Sequence, residues 1–369
     1  MIAKARYDEN GIPLSTTISS LAEAHGGLSY RGFPLRDCFA RAASYEEVAW
    51  LLLQGAQPTP KELATFRRHI AAARTLPDEL RLSLRALPAS AHPMQVLRHT
   101  VTWLGMTKSA AHGAAEWQSC AVMLGALPAA LCYWHHHRRG EQRIRGNISA
   151  PSVAVHLLHL LYGKEPEAAQ ARALDRSLIL YAEHVVNASS FTARVIASTG
   201  ADYHSAIAGA IGALSGPLHG GANEAVLSFL SGCATPALAL RRAESWLASG
   251  KRVPGFGHRV YRRTDPRSQM HRELVEMLIA AGADEKRHRV ALALENYMWE
   301  RKRLPANVDF HAATLYSLLG IPADFFTPVF ALARLAGWSA HITEQRATGR
   351  LIQPLADPAA PPLRLWPKT

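Results

Sequence analysis

The spacing of apolar positions along the chain is typical of α-helices. Residues 44–47 (SYEE) match a capping box ahead of an apolar stretch, and Gly55 stands where that helix should end. Residues 59–62 (TPKE) match a second capping box, with proline at the first helical position. An apolar stretch that includes Phe66 and Ile70 follows it. The sequence therefore predicts two successive helices in this part of the chain.

Later segments lack the pattern of β-strands. Residues 201–213, 224–230 and 324–340 are rich in small and apolar side chains, without turn-bounded alternation of period two. The sequence has no internal repeats and no Gly/Ser linkers, so we expect any second domain to be an insertion in a continuous helical body. The predicted fold class is all-α, with an extended, proline-rich arm from Pro354 onward.

Composition limits the classes of protein that remain. The chain has 369 residues, of which 48% are hydrophobic, and this is enough for a large core and two domains. Its four cysteines are widely separated, without a CxxC pair, so neither a disulfide framework nor a zinc site is predicted. Residues 1–11 lack an apolar signal region, and the longest apolar run, residues 120–134, contains Pro128. We expect a cytoplasmic protein without a membrane span.

The net charge of +12 raises the alternative of nucleic-acid binding, because a basic surface attracts any polyanion. The arginine pair at residues 138–139 and the basic cluster at residues 301–303 are the segments that would serve it. No recognition module accompanies them. We therefore expect solvated basic faces and no nucleic-acid partner.

The first of three segments with candidate chemistry is GPLHGGAN at residues 216–223, followed by a helix expected from Glu224. A histidine beside a helix N-terminus lies near the positive end of the dipole, which favours the neutral imidazole. Neutral His219 would donate one hydrogen bond to a developing oxyanion. The alternative is that the glycines make a tight turn and His219 caps it.

The second segment is PGFGHRVYRRTDPR at residues 254–267. Its Gly-x-Gly lacks the third glycine of a dinucleotide-binding loop, so that interpretation is weak. Four arginines and His258 suit phosphates and carboxylates, which guanidinium groups bind through paired hydrogen bonds. The alternative is a basic surface turn.

The third segment is NVDFH at residues 307–311, in which Asp309 stands between apolar neighbours. A desolvated carboxylate is a stronger base toward a carbon acid, as enolisation requires. The alternative is that Asp309 caps a helix.

Other chemistries find less support. The three histidines at residues 135–137 lack the i, i+4 spacing that places two metal ligands on one helical face, so no metal site is predicted. The sequence contains neither a Gly-x-Ser-x-Gly elbow nor a P-loop, which disfavours serine hydrolase and NTP-dependent chemistry.

Taken in order, these segments resemble those of citrate synthases over nearly the whole chain. Further motifs that carry the resemblance are LSYRGF at 28–33, EEV at 46–48, HPM at 92–94, LR at 97–98, YAEH at 181–184, NASSFTARV at 187–195, FTP at 326–328, Arg334, GW at 337–338 and EQ at 344–345. Within the family the chain is most similar to 2-methylcitrate synthases, through YWH at 133–135, YAEH, DPRSQ at 265–269 and MWE at 298–300. Leu218 and Phe310 are more similar to citrate synthases in general.

The resemblance implies condensation of an acyl-CoA with oxaloacetate, followed by hydrolysis of the thioester. The first expectation is 2-methylcitrate synthase with propionyl-CoA; the alternatives are citrate synthase with acetyl-CoA or a variant with another acyl-CoA or 2-oxo acid. No cofactor is implied beyond the CoA thioester substrate. The expected assembly is a homodimer, each subunit having a large helical domain (1–219 and 320–369) and a small helical domain on the CoA side (220–319) that closes over an active-site cleft.

The resemblance also implies roles for individual residues. Asp309 would remove the α-proton of the acyl-CoA, His219 would stabilise the enol or enolate, and His258 would polarise the ketone of oxaloacetate. Substrate binding is implied for four further residues: oxaloacetate for His184, Arg267 and Arg334, and the CoA phosphate for Arg262.

Two positions depart from the family pattern. Gln353 precedes Pro354 where the family has an arginine that reaches across the dimer to a substrate carboxylate, and the spacing of Arg350 does not match. We expect weaker dicarboxylate binding or a different 2-oxo acid, because charge-assisted hydrogen bonds contribute about 1.5–3 kcal/mol. Val185 replaces a glutamate that usually follows His184, which should loosen the arginines that hold substrate.

Overall fold

The structure, a computed structural model, describes residues 15–22, 27–107, 115–141 and 148–353. These ranges form a predominantly helical body, so the predicted helical class is confirmed. The α-helices are α1 Leu35–Arg41, α2 Tyr45–Gln54, α3 Pro60–Ala72, α4 Asp78–Arg85, α5 Pro93–Met106, α6 Glu116–Arg138, α7 Val153–Tyr162, α8 Ala168–Tyr181, α9 Ala188–Ser198, α10 Tyr203–Leu214, α11 Ala222–Ser231, α12 Pro236–Ala248, α13 Pro266–Ala280, α14 Lys286–Lys302, α15 Val308–Leu318 and α16 Phe326–Thr348. The expected arm from Pro354 lies outside the described residues.

A small antiparallel sheet is the exception to the all-α prediction. It contains β1 Ser19–Ala22, β2 Gly27–Tyr30 and β3 Phe33–Pro34 in that order. Arg31 and Gly32 connect β2 to β3 with positive φ angles of 48° and 87°, which suits a two-residue hairpin turn. The sheet is too short to give a clear period-two pattern, and this explains why the sequence did not reveal it.

The two predicted helix starts had different outcomes. At α3 the capping box is confirmed: Thr59 Oγ1 accepts from the Glu62 N–H at 3.3 Å, and the Glu62 carboxylate accepts from the Thr59 N–H at 2.8 Å. Helix α2 begins and ends as predicted, at Tyr45 and before Gly55, but its capping box is wrong. Ser44 Oγ makes no capping bond because it accepts instead from Arg67 Nη2 of α3 at 3.0 Å.

Helix α16 lies at the centre of the molecule and packs against α2, α6, α8, α9 and α10. Trp338 on this helix is fully buried in the main apolar core. Helix α6 is apolar on nearly all sides and continues through Pro128, as expected for a helix enclosed by others. In the described ranges, no helix combines the length and hydropathy required to cross a membrane.

Three helices, α8, α13 and α15, bring much of the candidate site together. Helix α13 packs against both α8 and α15, so the C-terminal end of α8 and the N-terminal ends of α13 and α15 become neighbours. The segment before α13 is fixed by two backbone hydrogen bonds, from the Asn307 N–H to the Gly255 carbonyl at 2.9 Å and from the Gly257 N–H to the Pro305 carbonyl at 2.8 Å. This pairing holds residues 254–258 against the start of α15.

Gly255 is required by this close approach. Its φ is +85°, and a Cβ atom there would lie 2.6 Å from Val226 Cγ2 and 2.8 Å from Phe310 Cδ2. We expect Gly255→Ala to lower the free energy of unfolding by about 2–4 kcal/mol, because left-handed strain adds to overpacking. Gly55→Ala is the matched control, since its φ is +81° with open space around the new Cβ. Urea denaturation should show the larger loss for Gly255→Ala; equal losses would contradict the packing argument.

Candidate active site

Asp309 lies in the first turn of α15, with its side chain only 7% exposed. The helix is capped by Asn307, whose Oδ1 accepts from the Asp309 N–H at 3.1 Å, so Asp309 itself is not the cap. Tyr181 donates its hydroxyl to Asp309 Oδ1 at 2.9 Å, and Oδ2 has no hydrogen-bond partner among the described residues. Burial raises the pKa of Asp309 to about 6, while the Tyr181 hydrogen bond and Arg267 oppose the rise. Among the described residues, Asp309 Oδ1 is therefore bonded to Tyr181, and Oδ2 is left without a hydrogen bond.

His219 lies in the turn before α11 and reaches across to the start of α9. Its Nε2 accepts from the Ser189 backbone N–H at 3.3 Å and lies 2.9 Å from Ser189 Oγ. That hydroxyl is fixed in turn by Trp338, whose Nε1–H donates to it at 3.0 Å. Because Nε2 is the acceptor, Nδ1 carries the proton of the neutral ring. Burial, followed by the charge of Arg334, lowers the pKa of His219 to about 4.

His258 is oriented by the backbone that follows it. Its Nδ1 accepts from the N–H groups of Val260 at 3.0 Å and Tyr261 at 3.2 Å, so Nε2 carries the proton. Burial, followed by the charge of Arg267, lowers the pKa of His258 to about 4. The ring centroid of His184 is 5.2 Å away, and its Nε2 lies 3.3 Å from the Tyr261 hydroxyl. Both imidazoles are neutral near pH 7, since burial and Arg267 also hold the pKa of His184 well below its usual range.

Arg267 is anchored by the fully buried carboxylate of Asp265. Nε donates to Oδ1 at 3.0 Å and Nη2 donates to Oδ2 at 2.8 Å. Asp265 Oδ2 also accepts from the Val308 N–H at 3.1 Å, which joins the starts of α13 and α15. Arg267 Nη2 lies 3.5 Å from His258 Nε2. One buried carboxylate therefore fixes both the arginine and the start of the helix that carries Asp309.

Arg334 extends from α16 and is 1% exposed. Its Nε donates to the Tyr181 carbonyl at 2.7 Å, and its guanidinium carbon lies 4.8 Å from the centroid of the Phe330 ring. The Phe330 ring is also 4.3 Å from Tyr181 and 6.5 Å from His219. Tyr181 and Phe330 thus form an aromatic pair between the base candidate, Asp309, and the His219 imidazole.

The structure brings six of the seven predicted site residues into one connected group. His258 lies beside both His184 and Arg267, Asp309 and Arg334 both bond to Tyr181, and His219 lies near Phe330, which is next to Arg334. Arg262 is exposed and has no hydrogen-bond partner among the described residues, which leaves it available to solvent or ligand. The functional roles assigned to these residues stay predictions.

The sequence analysis did not identify several residues of the site as functional, although most of them lie in the motifs quoted above. Tyr181 and Asp265 are two of those that bond directly to predicted site residues, Asp309 and Arg267 respectively. Behind them, Glu183 Oε1 accepts from His341 Nε2 at 2.9 Å, and His341 Nδ1 accepts from Arg194 Nε at 2.9 Å. The motifs YAEH and NASSFTARV contain three of these residues, Tyr181, Glu183 and Arg194. A local sequence pattern cannot show which side chains far apart in the sequence will contact each other.

The structure describes both positions that depart from the family pattern, Val185 and Gln353. Val185 adopts a left-handed φ of +52°, which is strained for a β-branched residue, and its N–H donates to Ser19 Oγ at 2.9 Å. Arg267 has Asp265 as its counter-ion in this structure, so its position does not depend on an acid at residue 185. Gln353 is exposed, as is Arg350.

Comparisons with known proteins agree with this architecture. The family model described as "Citrate synthase, C-terminal domain" matches residues 9–355. A 2-methylcitrate synthase of Shewanella oneidensis is 42% identical, covering 93% of this chain and 91% of its own length. A citrate synthase of Synechocystis is 36% identical, covering 93% and 88%. The citrate synthase of Thermoplasma acidophilum, solved as a ternary complex with carboxymethyl coenzyme A and oxaloacetate, superposes with a TM-score of 0.88 at 29% identity, covering 96% and 95%.

The fold and these matches define the class of protein as an acyltransferase of the citrate and 2-methylcitrate synthase type. The chain belongs to the citrate synthase family, whose reaction is the condensation of an acyl-CoA with oxaloacetate. The resemblance inferred from the sequence motifs is therefore confirmed at the level of the family.

The buried Asp265–Arg267 pair should be needed for stability as well as for the site. We expect Asp265→Asn to lower the free energy of unfolding by about 3 kcal/mol or more, because it leaves a buried guanidinium without its counter-charge. Glu273→Gln is the matched control, since Glu273 accepts two hydrogen bonds from Arg36 on the exposed surface, where a pair contributes at most about 1 kcal/mol. Equal losses of stability in urea titrations of the two variants would contradict the assigned role of burial.

Proposed function

We propose that the protein is a 2-methylcitrate synthase, which condenses propionyl-CoA with oxaloacetate. The observation that carries the proposed chemistry is Asp309, a buried carboxylate with one oxygen held by Tyr181 and the other free, in a group that contains two neutral imidazoles. The propionyl preference is supported by the 42% and 40% identity to 2-methylcitrate synthases of Shewanella oneidensis and Corynebacterium glutamicum. The second candidate is citrate synthase with acetyl-CoA, which the 36% identity to the Synechocystis enzyme keeps open.

The first step in this proposal is enolisation of the acyl-CoA. Asp309 Oδ2 takes the α-proton, and a pKa near 6 makes the carboxylate a stronger base than an ordinary aspartate while it remains largely ionised at pH 7. His219 donates its Nδ1–H to the thioester oxygen as negative charge develops there. A neutral donor in a dry site stabilises the enolate without having to give up its proton.

The second step is attack of the enol carbon on the ketone of oxaloacetate. His258 Nε2–H polarises the ketone oxygen, and His184, Arg267 and Arg334 bind the carboxylates through charge-assisted hydrogen bonds. Water then cleaves the thioester of the condensed product and releases CoA. Arg262, on the exposed side of the same segment, would contact a CoA phosphate.

The proposal includes the assembly and domain division that the resemblance implies. The protein would be a homodimer, with a large domain formed by residues 1–219 and 320–369 and a small domain, residues 220–319, that closes over the substrates. We also propose a cytoplasmic location. Its support is that all four cysteines, Cys38, Cys120, Cys132 and Cys233, are buried and unpaired, as is usual in a reducing compartment.

The acyl-chain preference is tested by thiol release from acetyl-, propionyl- and butyryl-CoA with oxaloacetate. We expect propionyl-CoA to give the highest kcat/KM, with a difference from acetyl-CoA of about 10- to 200-fold, because one methylene in a pocket contributes about 1–3 kcal/mol. A preference for acetyl-CoA would instead identify a citrate synthase. Repeating the series with other 2-oxo acids, and with Gln353→Arg, tests whether this position changes the acceptor. Absence of CoA release in the whole series would contradict condensation.

The Tyr181 hydroxyl should set the acid limb of the pH profile. Its hydrogen bond lowers the pKa of Asp309, so Tyr181→Phe should raise that pKa and move the inflection of kcat/KM, near pH 6 in the unaltered protein, to higher pH. Activity is lost as pH falls through this pKa because the base must be ionised. Tyr316→Phe is the control, since this buried hydroxyl lies 2.9 Å from Ser177 Oγ and makes no hydrogen bond to Asp309. An unchanged inflection in Tyr181→Phe would exclude this positioning role.

A further inference from the structure

A basic cavity lies outside the candidate active site, between α3, α7 and α8. Its volume is about 370 Å³, and three arginines line it, Arg67 from α3 together with Arg172 and Arg176 from α8. Ser44 and Ser152 also line it. None of the residues assigned above to catalysis or substrate binding takes part, so this is a separate place on the molecule.

Two of the arginines have buried N–H groups without an acceptor. Arg67 Nε and Arg176 Nη1 are both enclosed, and neither has a hydrogen-bond partner in the described part of the chain. Arg176 Nη1 lies 3.9 Å from Asp175 Oδ2, which is too long for a hydrogen bond. Buried donors are usually satisfied, because an unpaired donor loses its water without compensation. The unpaired groups therefore point to an acceptor that the protein itself does not supply.

Three arginines line the cavity beside one carboxylate, and the buried carboxylate of Glu46 lies nearby. Asp175 is the carboxylate among the residues that line it, and its Oδ1 is engaged by the Tyr45 N–H at 3.0 Å. Burial and the nearby Glu46 raise the pKa of Asp175, while Arg176 and Arg67 oppose the rise. An adjoining cavity of about 310 Å³ shares Arg172 and Arg176, but there Arg36 is paired with Glu273.

The N-terminus of α7 forms one border of the cavity. Ser152 caps this ten-residue helix, with its Oγ accepting from the Val155 N–H at 3.2 Å, and both residues line the cavity. The Val153 N–H at this end already donates to Glu46 Oε1 at 2.7 Å, so the arginines carry the positive potential of the cavity.

We propose that this cavity binds a small phosphate-bearing anion, whose oxygens accept hydrogen bonds from Arg67, Arg172 and Arg176. Guanidinium groups match phosphate geometry through paired hydrogen bonds, and a multiply charged phosphate balances three arginines better than a single carboxylate does. The volume admits a compact metabolite rather than a macromolecule. This site does not depend on the proposed acyl-CoA chemistry.

The experiment is calorimetric titration of the full-length protein with inorganic pyrophosphate at low ionic strength. We expect saturable binding with one site per chain, and a loss of affinity of about tenfold or more in the double variant Arg67→Gln/Arg176→Gln, because charge-assisted bonds are removed. Arg172→Gln, at an exposed position, should weaken binding to a smaller extent without disturbing the fold. Circular dichroism of each variant confirms folding before titration.

Two matched variants locate the binding. Arg68→Gln removes an exposed arginine of the same helix, and Arg262→Gln removes the arginine proposed for the CoA phosphate; both should bind pyrophosphate as the unaltered protein does. The proposal is overturned by absence of saturable binding below about 1 mM. It is equally overturned if affinity survives in the double variant and in Arg172→Gln, or if Arg262→Gln alone abolishes it. Citrate binding in place of pyrophosphate would exclude the phosphate class.

Discussion

A single buried carboxylate, that of Asp309, is the constraint on which the site depends. Taken out of water, it holds its proton more tightly, and the Tyr181 hydroxyl and the charges of Arg267 and Arg334 limit that effect. Each of these partners must itself be fixed in a buried setting. Asp265 holds Arg267, and the Tyr181 carbonyl holds Arg334. The base strength of one side chain therefore rests on contacts among α8, α13, α15 and α16.

The same arginines explain why the imidazoles are neutral. Burial makes the largest contribution to the low pKa of His219 and His258, and Arg334 and Arg267 respectively add to it. Arg334 and Arg267, which are suited to binding substrate carboxylates, thus also help to keep the His219 and His258 rings neutral, so that each ring can donate a hydrogen bond. Because backbone N–H groups occupy Nε2 of His219 and Nδ1 of His258, the remaining N–H of each ring has a defined position before any substrate arrives.

Much of this could be predicted from sequence where the signal is local. The helical class, the ends of α2 at Tyr45 and Gly55, the capping box of α3 and the three segments of the site all follow from short patterns. Contacts at long separation could not be predicted. Arg67 donates a hydrogen bond to the Ser44 hydroxyl, which was expected to cap α2. Tyr181, which lies on another helix 128 positions earlier in the sequence, donates a hydrogen bond to Asp309. The short sheet β1–β3 was missed because it is held by pairing and by Tyr30, not by its own pattern.

The central claim is that Asp309 removes the α-proton of an acyl-CoA, and isotope exchange tests it most directly. Propionyl-CoA is incubated in deuterium oxide with the protein and an oxaloacetate analogue that lacks an attackable ketone, and deuterium uptake at the α-carbon is followed by mass spectrometry. The account predicts exchange by the unaltered protein and a loss of about 10²-fold or more in Asp309→Asn or His219→Ala, with both variants folded. Exchange at the original rate in Asp309→Asn would contradict the account.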